Sequence, residues 1–327
     1  MINVALIYGG NSDEWDISVK SGKNVAASLN RSKYNVYEIL YRNDEWGLSD
    51  PSFEEAHVVA PVDTTDFSCV VEGKKVKFDI ALVMIHGTPG EDGILQAYFE
   101  KLGIPCSTSS SKVLSTIFDK HLCKEAMKGT DVPMAKDVFL TASDKYDVND
   151  IVAELGLPLF VKPCDGGSSY GVTKVKDVSN LEEAIRFAFA TGKTVLIEEA
   201  IEGREMSEGV FSVGGKVITL PVTEIVSHNE YFDYEAKYLG KSDEICPARI
   251  TEKEKEQLSD TTAKIYRHFG CTGLIRIDYI INKEGIPYFL EVNTVPGMTN
   301  ASIVPVQLRT AGMDLGEIMD AMLSELV

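Results

Sequence analysis

A chain of 327 residues is long enough for two or three domains with separate cores, and its 44% hydrophobic and 25% charged residues are ordinary for a globular protein. A net charge of −18 argues against nucleic acid or an anionic membrane as a main partner, because neither offers counterion release or surface attraction. No apolar run approaches the length of a membrane span, and the opening run Ile2 to Tyr8 has the pattern of a buried strand, not of a signal peptide.

Ile2 to Tyr8 ends in Gly9-Gly10 and predicts a parallel strand covered on both faces. A polar loop from Asn11 to Asp16 leads to a helix from about Ile17 to Leu29. Strands around Tyr34 to Tyr41 and Ile80 to Ile85 complete a small open α/β sheet whose strand ends carry ligand loops. No G-x-G-x-x-G follows the first strand, which argues against an NAD-binding domain. Glu14 lies in the loop at that strand end, where a helix-start carboxylate is the commoner role. Next, His86-Gly87-Thr88-Pro89-Gly90-Glu91-Asp92-Gly93 precedes a helix from Ile94 to Leu102. Its glycines and proline set a tight turn beside a helix N-terminus, which suits either a bound anion or a turn around a hydrogen-bonded His86.

After Ile104-Pro105 the pattern turns to a helix from Lys112 to Lys128 that contains Asp119-Lys120. Leu159 to Pro163 is an apolar strand carrying Lys162, followed by Cys164-Asp165-Gly166-Gly167-Ser168-Ser169-Tyr170-Gly171 and a second strand from Val172 to Val175. Such a Gly/Ser loop can close over phosphates with N–H and hydroxyl donors, and an unpaired lysine rarely faces a core. A Walker A loop is excluded, since no G-x-x-x-x-G-K-[ST] is present. Ser179 and Glu182 are spaced as a capping box for a helix to about Ala190. Thr194 to Ala200 is a strand ending in Glu198-Glu199, and after the Gly203 turn a hairpin runs through Gly214-Gly215. Tyr231 to Gly240 is dense in aromatics without clear periodicity, as expected of a lid. Thr251 and Glu254 cap a helix to Phe269, and Asp314 to Leu326 forms a closing amphipathic helix. The six cysteines show no C-x-x-C pairing, the usage expected of reduced thiols in the cytoplasm. The stretch from about Asp50 to Lys77 yields no reading.

The segment from Gly273 to Ser302 organises the rest. Two apolar runs flank Asn282-Lys283-Glu284-Gly285, so it predicts an antiparallel hairpin. Strand alternation places Leu274, Arg276, Asp278 and Ile280 on one face of the first strand, and Phe289, Glu291 and Asn293 on one face of the second. With the turn closing opposite Ile281 and Ile286, Arg276 lies across from Glu291, and Asp278 is its diagonal neighbour about 7 to 8 Å away. Two carboxylates and an amide oxygen suit Mg²⁺ completed by phosphate oxygens better than they suit zinc. The plainer alternative is a solvated strand face with an Arg–Glu pair.

Taken together, GGNSDEWDIS, HGTPGEDG, Asp119-Lys120, LFVKPCDGGSSYGV, LIEEAIEGRE, FDYEAKY, RIDY and LEVNTVPGMT with Ser302 resemble the ATP-grasp ligases, specifically the D-alanine:D-alanine ligases of peptidoglycan synthesis. The resemblance runs nearly end to end. It implies an α/β (α+β) ATP-grasp fold with an N-terminal open α/β domain over 1–103, a central subdomain over 104–193 and a C-terminal subdomain over 194–327. Lys120 and Lys162 would meet the phosphates under the loop of Gly166, Gly167 and Ser169. Glu198 and Glu205 would contact adenine and ribose. Asp278, Glu291 and Asn293 match Mg²⁺ ligands, two ions being expected, with Mn²⁺ able to replace them. Glu14 would hold the first D-alanine's ammonium near His86, with Ser168 and Tyr238 as its hydrogen-bonded partners. Lys237, Arg276 and the Gly297 N–H would surround the transferring groups, and Ser302 and Ile303 would receive the second substrate. Glu199 stands where some members carry lysine. The implied activity is ATP-dependent joining of two D-alanines through an acyl phosphate by a cytoplasmic homodimer that binds no nucleic acid or membrane. The alternatives are a D-alanine:D-serine or D-lactate ligase and a catalytically silent nucleotide-binding module.

Overall fold

The computed structural model describes residues 1–50, 57–167, 170–227 and 242–327. β1 (Ile2–Gly9) pairs in parallel with β2 (Tyr34–Arg42) on one side and β7 (Ile80–Val83) on the other. Its side chains alternate between two cores, with Val4, Leu6 and Tyr8 in one and Ala5 and Ile7 in the other. Burial on both faces is why the run is apolar throughout. α1 (Trp15–Ser28), which begins two residues earlier than its pattern suggested, covers the first face through Val25 and Ala26. α2 (Ile94–Leu102) covers the second through Leu95 and Phe99.

Beyond β2 the sheet continues through β3 (Glu45–Ser49), β4 (Val58–Asp63), β5 (Ser68–Val71) and β6 (Lys74–Lys77), in the order β6-β5-β4-β3-β2-β1-β7. Much of the stretch without a sequence reading therefore extends this sheet. Its strands are short, and their fold is anchored by Phe67, fully buried against the rings of Trp46, Phe78, Tyr98 and Phe99.

The second sheet has the order β10-β9-β11-β8, from β8 (Asp137–Thr141), β9 (Leu159–Pro163), β10 (Thr173–Val175) and β11 (Thr194–Glu199). Leu159, Val161, Val195 and Ile197 point to a core shared with α5 (Val148–Leu155) and α6 (Leu181–Thr191). The alternate residues Phe160, Lys162, Leu196 and Glu198 face the other way. Because β11 hydrogen-bonds with β8 and β9, the division expected at residue 193 falls inside this sheet.

A third sheet is built from β12 (Gly203–Val213), β13 (Lys216–Thr219), β14 (Thr223–Ser227), β15 (Ser242–Ile245), β16 (Ile275–Asn282) and β17 (Pro287–Asn293), in the order β15-β14-β12-β16-β17 with β13 on β12. Met206, Val210, Ile277 and Tyr279 pack under α7 (Glu252–Phe269). That helix opens on the expected capping box, with both Thr251–Glu254 hydrogen bonds formed. α8 (Ile303–Thr310) and α9 (Leu315–Ser324) fill the space between the third sheet and the first, through Val304, Leu308, Met319 and Leu323. All six cysteines are free thiols. Among the described residues no helix is long and apolar enough to cross a membrane.

Three local expectations are corrected. The helix anticipated from Lys112 to Lys128 is two, α3 (Ser111–Phe118) and α4 (Lys120–Met127). Asp119 breaks it with an extended backbone, and its carboxylate accepts the Leu122 N–H at 2.9 Å, so a capping side chain wins over helical continuity. The capping box at Ser179 does not form. Asp177 instead caps a 3-10 turn at Val178–Asn180, and the Ser179 hydroxyl donates to Asp177 Oδ1 at 2.7 Å.

The third correction concerns the hairpin. Ile281 pairs with Pro287, Ile280 with Tyr288 and Tyr279 with Phe289, but Asp278 then pairs with Glu291 and Arg276 with Asn293, leaving Leu290 without a register partner. This bulge has a consequence for direction. Phe289 faces the core with Tyr279, and unbroken alternation would send Glu291 there too. The extra residue turns Glu291 to the opposite side, directly across from Asp278. Arg276 does not face Glu291 as expected.

Candidate active site

The uncovered faces of the second and third sheets enclose a cavity of about 440 Å³, closed at one end by the loops that follow β1, β7 and β17. Phe160, Lys162 and Glu198 line it from one sheet, and Glu205, Ile280, Tyr288 and Glu291 from the other. Two helix-backed sheets thus present their polar faces to one gap, which the core-facing apolar residues of each strand make unavoidable.

On the third sheet Arg276 grips Asp278, its Nε and Nη2 each donating at 2.9 Å to a different carboxylate oxygen. Ser207, on the neighbouring β12, donates to Asp278 Oδ1 at 2.6 Å. Burial works against the guanidinium's charge, but Asp278, with Glu291 and Glu244 beyond it, more than offsets this and holds Arg276 above its usual range. Asn293 Oδ1 is buried and accepts no hydrogen bond among the described residues. A buried acceptor without a donor is costly, and beside two carboxylates it marks a place for a cation. Among the described residues no three His, Cys, Asp or Glu side chains converge as a metal cluster. Two carboxylates and one amide oxygen therefore fit Mg²⁺ only with ligand oxygens completing its shell.

On the second sheet Lys162 pairs with Glu198, whose other oxygen accepts from Lys124 at 2.7 Å. Burial would push the Lys162 ammonium down and the Glu198 carboxyl up. Their mutual attraction, with Lys124 adding to it at Glu198, reverses both and keeps the pair ionised. Lys120 Nζ donates to the Gly166 carbonyl at 2.5 Å, tying the start of α4 to the Gly166–Gly167 segment that borders the cavity. Glu199 also borders the cavity, and its carboxylate accepts the Lys136 N–H at 2.9 Å.

At the closed end, Glu14 and His86 line the cavity with Gly297, Ser302 and Ile303. His86 Nδ1 lies 2.6 Å from the Val295 carbonyl, and burial lowers its basicity more than Glu14 and that hydrogen bond restore it. The ring is therefore neutral with its proton on Nδ1. This is the hydrogen-bonded turn, not the anion pocket, because the loop supplies its own carboxylates. Glu91 takes the Gly87 N–H at 2.8 Å, and Asp92 takes that of Ile94 at 3.1 Å. Gly87 needs to be glycine at φ +67°, where a Cβ would also crowd Ser12. Helix α1 is stapled to the segment after β17, since Ser21 Oγ accepts the Met298 N–H at 2.9 Å and Asn24 Nδ2 donates to the Met298 carbonyl at 2.7 Å. A Cβ at Gly297 would lie 2.9 Å from Ser302 Oγ, so a side chain there would have to displace that hydroxyl.

The structure thus brings together Glu14, His86, Lys120, Lys162, Gly166, Gly167, Glu198, Glu205, Arg276, Glu291, Asn293, Gly297, Ser302 and Ile303 around one cavity, with Asp278 buried behind Arg276. Ser168, Ser169, Lys237, Tyr238 and the aromatic segment around Tyr234 lie outside the described residues. Sequence reasoning passed over Glu91, Lys124 and Ser207. Glu91 accepts N–H groups from Gly87 and, at 3.0 Å, from Val295, and burial, reinforced by the charge of Glu14, pushes it up to about 7. Only its place in HGTPGEDG could have drawn notice. Lys124 follows Lys120 by one helical turn, and Ser207 carries no local signal.

Two family models cover most of the chain, the D-ala D-ala ligase N-terminus over residues 3–109 and the D-ala D-ala ligase C-terminus over residues 126–324. A D-alanine–D-alanine ligase of Parabacteroides distasonis is 44% identical over 317 residues, spanning 97% of this chain and 95% of that protein. One of Flavobacterium psychrophilum is 42% identical over 319 residues, spanning 98% and 95%. Among solved structures, the VanG D-Ala:D-Ser ligase of Enterococcus faecalis superposes with a TM-score of 0.90 at 30% identity, covering 100% of this chain and 99% of that one. The D-alanine–D-alanine ligase of Bacillus anthracis complexed with ATP gives 0.77 at 26% identity, covering 99% and 97%. Matched along nearly its whole length in sequence and in fold, this chain belongs to the D-alanine–D-alanine ligase family, ATP-dependent ligases of the ATP-grasp fold.

Proposed function

We propose that this protein joins two molecules of D-alanine to D-alanyl-D-alanine at the expense of ATP, for peptidoglycan precursor synthesis. The observation that carries the reading is the cavity that Lys120 and Lys162 line together with Arg276, Glu291 and Asn293. The reading also draws support from curated relatives, 40–44% identical, that are named for this dipeptide.

A carboxylate is a poor acyl donor. In the proposed sequence a carboxylate oxygen of the first D-alanine attacks the γ-phosphorus, the bond to the β-phosphate oxygen breaks, and ADP leaves. The amine of the second D-alanine then attacks the acyl phosphate carbon, loses a proton, and phosphate departs. Phosphoryl transfer asks chiefly for position and charge neutralisation. Lys120, at the start of α4, and Lys162, on the second sheet, supply that charge from one side and Arg276 from the other. Asp278, Glu291 and Asn293 would hold Mg²⁺, which when bound neutralises phosphate oxygens. Glu14 fixes the first substrate's ammonium, with neutral His86 beside it. Arg276 and the Gly297 N–H stabilise the oxyanion of the tetrahedral state. Ser302 and Ile303 receive the second D-alanine. Ser168, Lys237 and Tyr238 enter this scheme from the resemblance, with Ser169 over the phosphates and Glu198 and Glu205 at adenine and ribose. We further propose three units, with the second and third meeting between Glu199 and Gly203, and a cytoplasmic homodimer, which light scattering tests.

The likeness to a D-Ala:D-Ser ligase favours D-serine as the second reading. One added hydroxyl changes little unless a polar group receives it. Phosphate release from ATP and Mg²⁺ is measured with D-alanine, D-serine and D-lactate at matched concentrations, and products are identified by mass. D-Alanyl-D-alanine is the expected main product, and equal or better turnover with D-serine or D-lactate overturns the assignment.

A further inference from the structure

We propose that Lys124 is a positioning residue for nucleotide binding, holding Glu198 in place while Lys162 passes from Glu198 to a phosphate. This rests on the cavity being a nucleotide site, and it assigns a role to a residue that does not itself line that cavity.

The argument begins with donor counting. The Lys124 ammonium has three N–H groups, and it meets three acceptors at 2.7 Å, the Ala135 carbonyl, Asp137 Oδ1 and Glu198 Oε1. With its side chain nine-tenths buried it is a fixed charge, not a ligand group. Glu198 divides its two oxygens between two lysines, Oε1 to Lys124 and Oε2 to Lys162. Asp137 and Glu198 are register partners on adjacent strands, so the two acids sit side by side on the cavity face. The four charges sum to zero.

An arriving polyanion must draw Lys162 away from Glu198. A buried carboxylate stripped of its partner is strongly destabilising, and Lys124 on the other oxygen prevents that outcome. Without Lys124, Lys162 becomes the cation that two neighbouring acids compete for, and phosphate must win it from both.

Isothermal titration of the full chain with ADP and Mg²⁺, and separately with adenosine, tests this without using the ligation reaction. Lys124→Met is expected to weaken ADP about tenfold, a change of about 1.4 kcal/mol, and to weaken adenosine, which would meet Glu198 but has no phosphate to draw Lys162 away, by no more than about threefold. Lys124→Arg, which keeps the charge, restores most of the ADP affinity. If Lys124 acts through Glu198, adding Glu198→Gln to Lys124→Met costs less than the two single effects combined. Equal weakening of ADP and adenosine, unchanged ADP affinity, or strict additivity overturns the proposal. Should Lys124→Met fail to fold, Lys124→Met with Asp137→Asn removes one uncompensated acid and serves in the same comparison, with the same outcomes decisive. A wild-type protein that binds neither ligand removes the nucleotide site and the proposal with it. Bound ADP without dipeptide formation removes the substrate assignment alone and leaves the role of Lys124 standing.

Discussion

Two clusters of buried charge face each other across the cleft, and they are satisfied in opposite ways. On the third sheet, Asp278, Glu291 and Asn293 gather oxygens beside the Arg276 guanidinium, and one of those oxygens, Asn293 Oδ1, has no donor among the described residues. On the second sheet, Lys124, Lys162, Asp137 and Glu198 balance one another within ion-pair distance. Counted over Arg276, Asp278 and Glu291 alone, the first cluster carries one more negative than positive charge, which suits a cation. The second is neutral alone and can only exchange one partner for another. A ligand that brings a polyanion and a divalent ion together suits both at once.

Arg276→Ala strikes hardest at the first cluster, because it leaves Asp278 with Ser207 as its remaining described partner. Turnover is expected to fall on the order of a thousandfold, with a stability loss of about 3 to 5 kcal/mol, while ADP binding is largely kept. Phosphate release and denaturant unfolding read the two effects, and near-normal turnover removes Arg276 from the mechanism.

A third buried carboxylate sharpens the contrast between charged and neutral acids. Glu208, on the core side of the same sheet, accepts from Ser259 at 2.6 Å, and burial pushes it up to about 7 against the opposing effect of the Ser259 and Thr262 hydroxyls. A carboxyl raised in the folded state contributes stability that is present below its unfolded value of 4.5 and is lost as pH rises through about 7. Glu208→Gln should remove that slope, so the variant gains on the wild type by about 2 to 3 kcal/mol between pH 4.5 and pH 7. Parallel unfolding curves across that window would show that Glu208 does not titrate there.

Asn293→Ala separates function from stability within the first cluster. Loss of a metal donor is expected to lower turnover at least tenfold, partly recovered by raised Mg²⁺, whereas stability changes by less than about 1 kcal/mol because Oδ1 accepts no hydrogen bond among the described residues. A large fall in melting temperature would instead make Asn293 a structural amide. The smallest effect serves as a control. Thr251→Ala removes the α7 capping box for about 1 kcal/mol and should leave ADP affinity and turnover unchanged, so a shift in either would mean that modest destabilisation alone disturbs the cleft.

Periodicity and turn chemistry carried the elements far. The two-sided burial of β1, the strand holding Lys162 and the capped helix at Thr251 can all be read from local pattern, because each depends on residues within a few positions of one another. The helix break at Asp119 is also local, yet it was missed because the apolar spacing of Lys112 to Lys128 continues through it. The strands from Val58 to Lys77 were not legible because they are short and half exposed, and their order depends on an aromatic core assembled with α2.

By itself the sequence determined which side chains the cleft would hold, since alternation and glycine-rich turns are properties of neighbouring residues. Only the tertiary structure decided how those side chains meet. The bulge at Leu290 turns Glu291 toward Asp278, Ser207 reaches Asp278 from another strand, and Glu91 clamps the His86 loop to Val295 across 204 positions. The bulge is a register shift that strand alternation does not announce, and the other two contacts join segments remote in the chain, a distance of which local pattern holds no record.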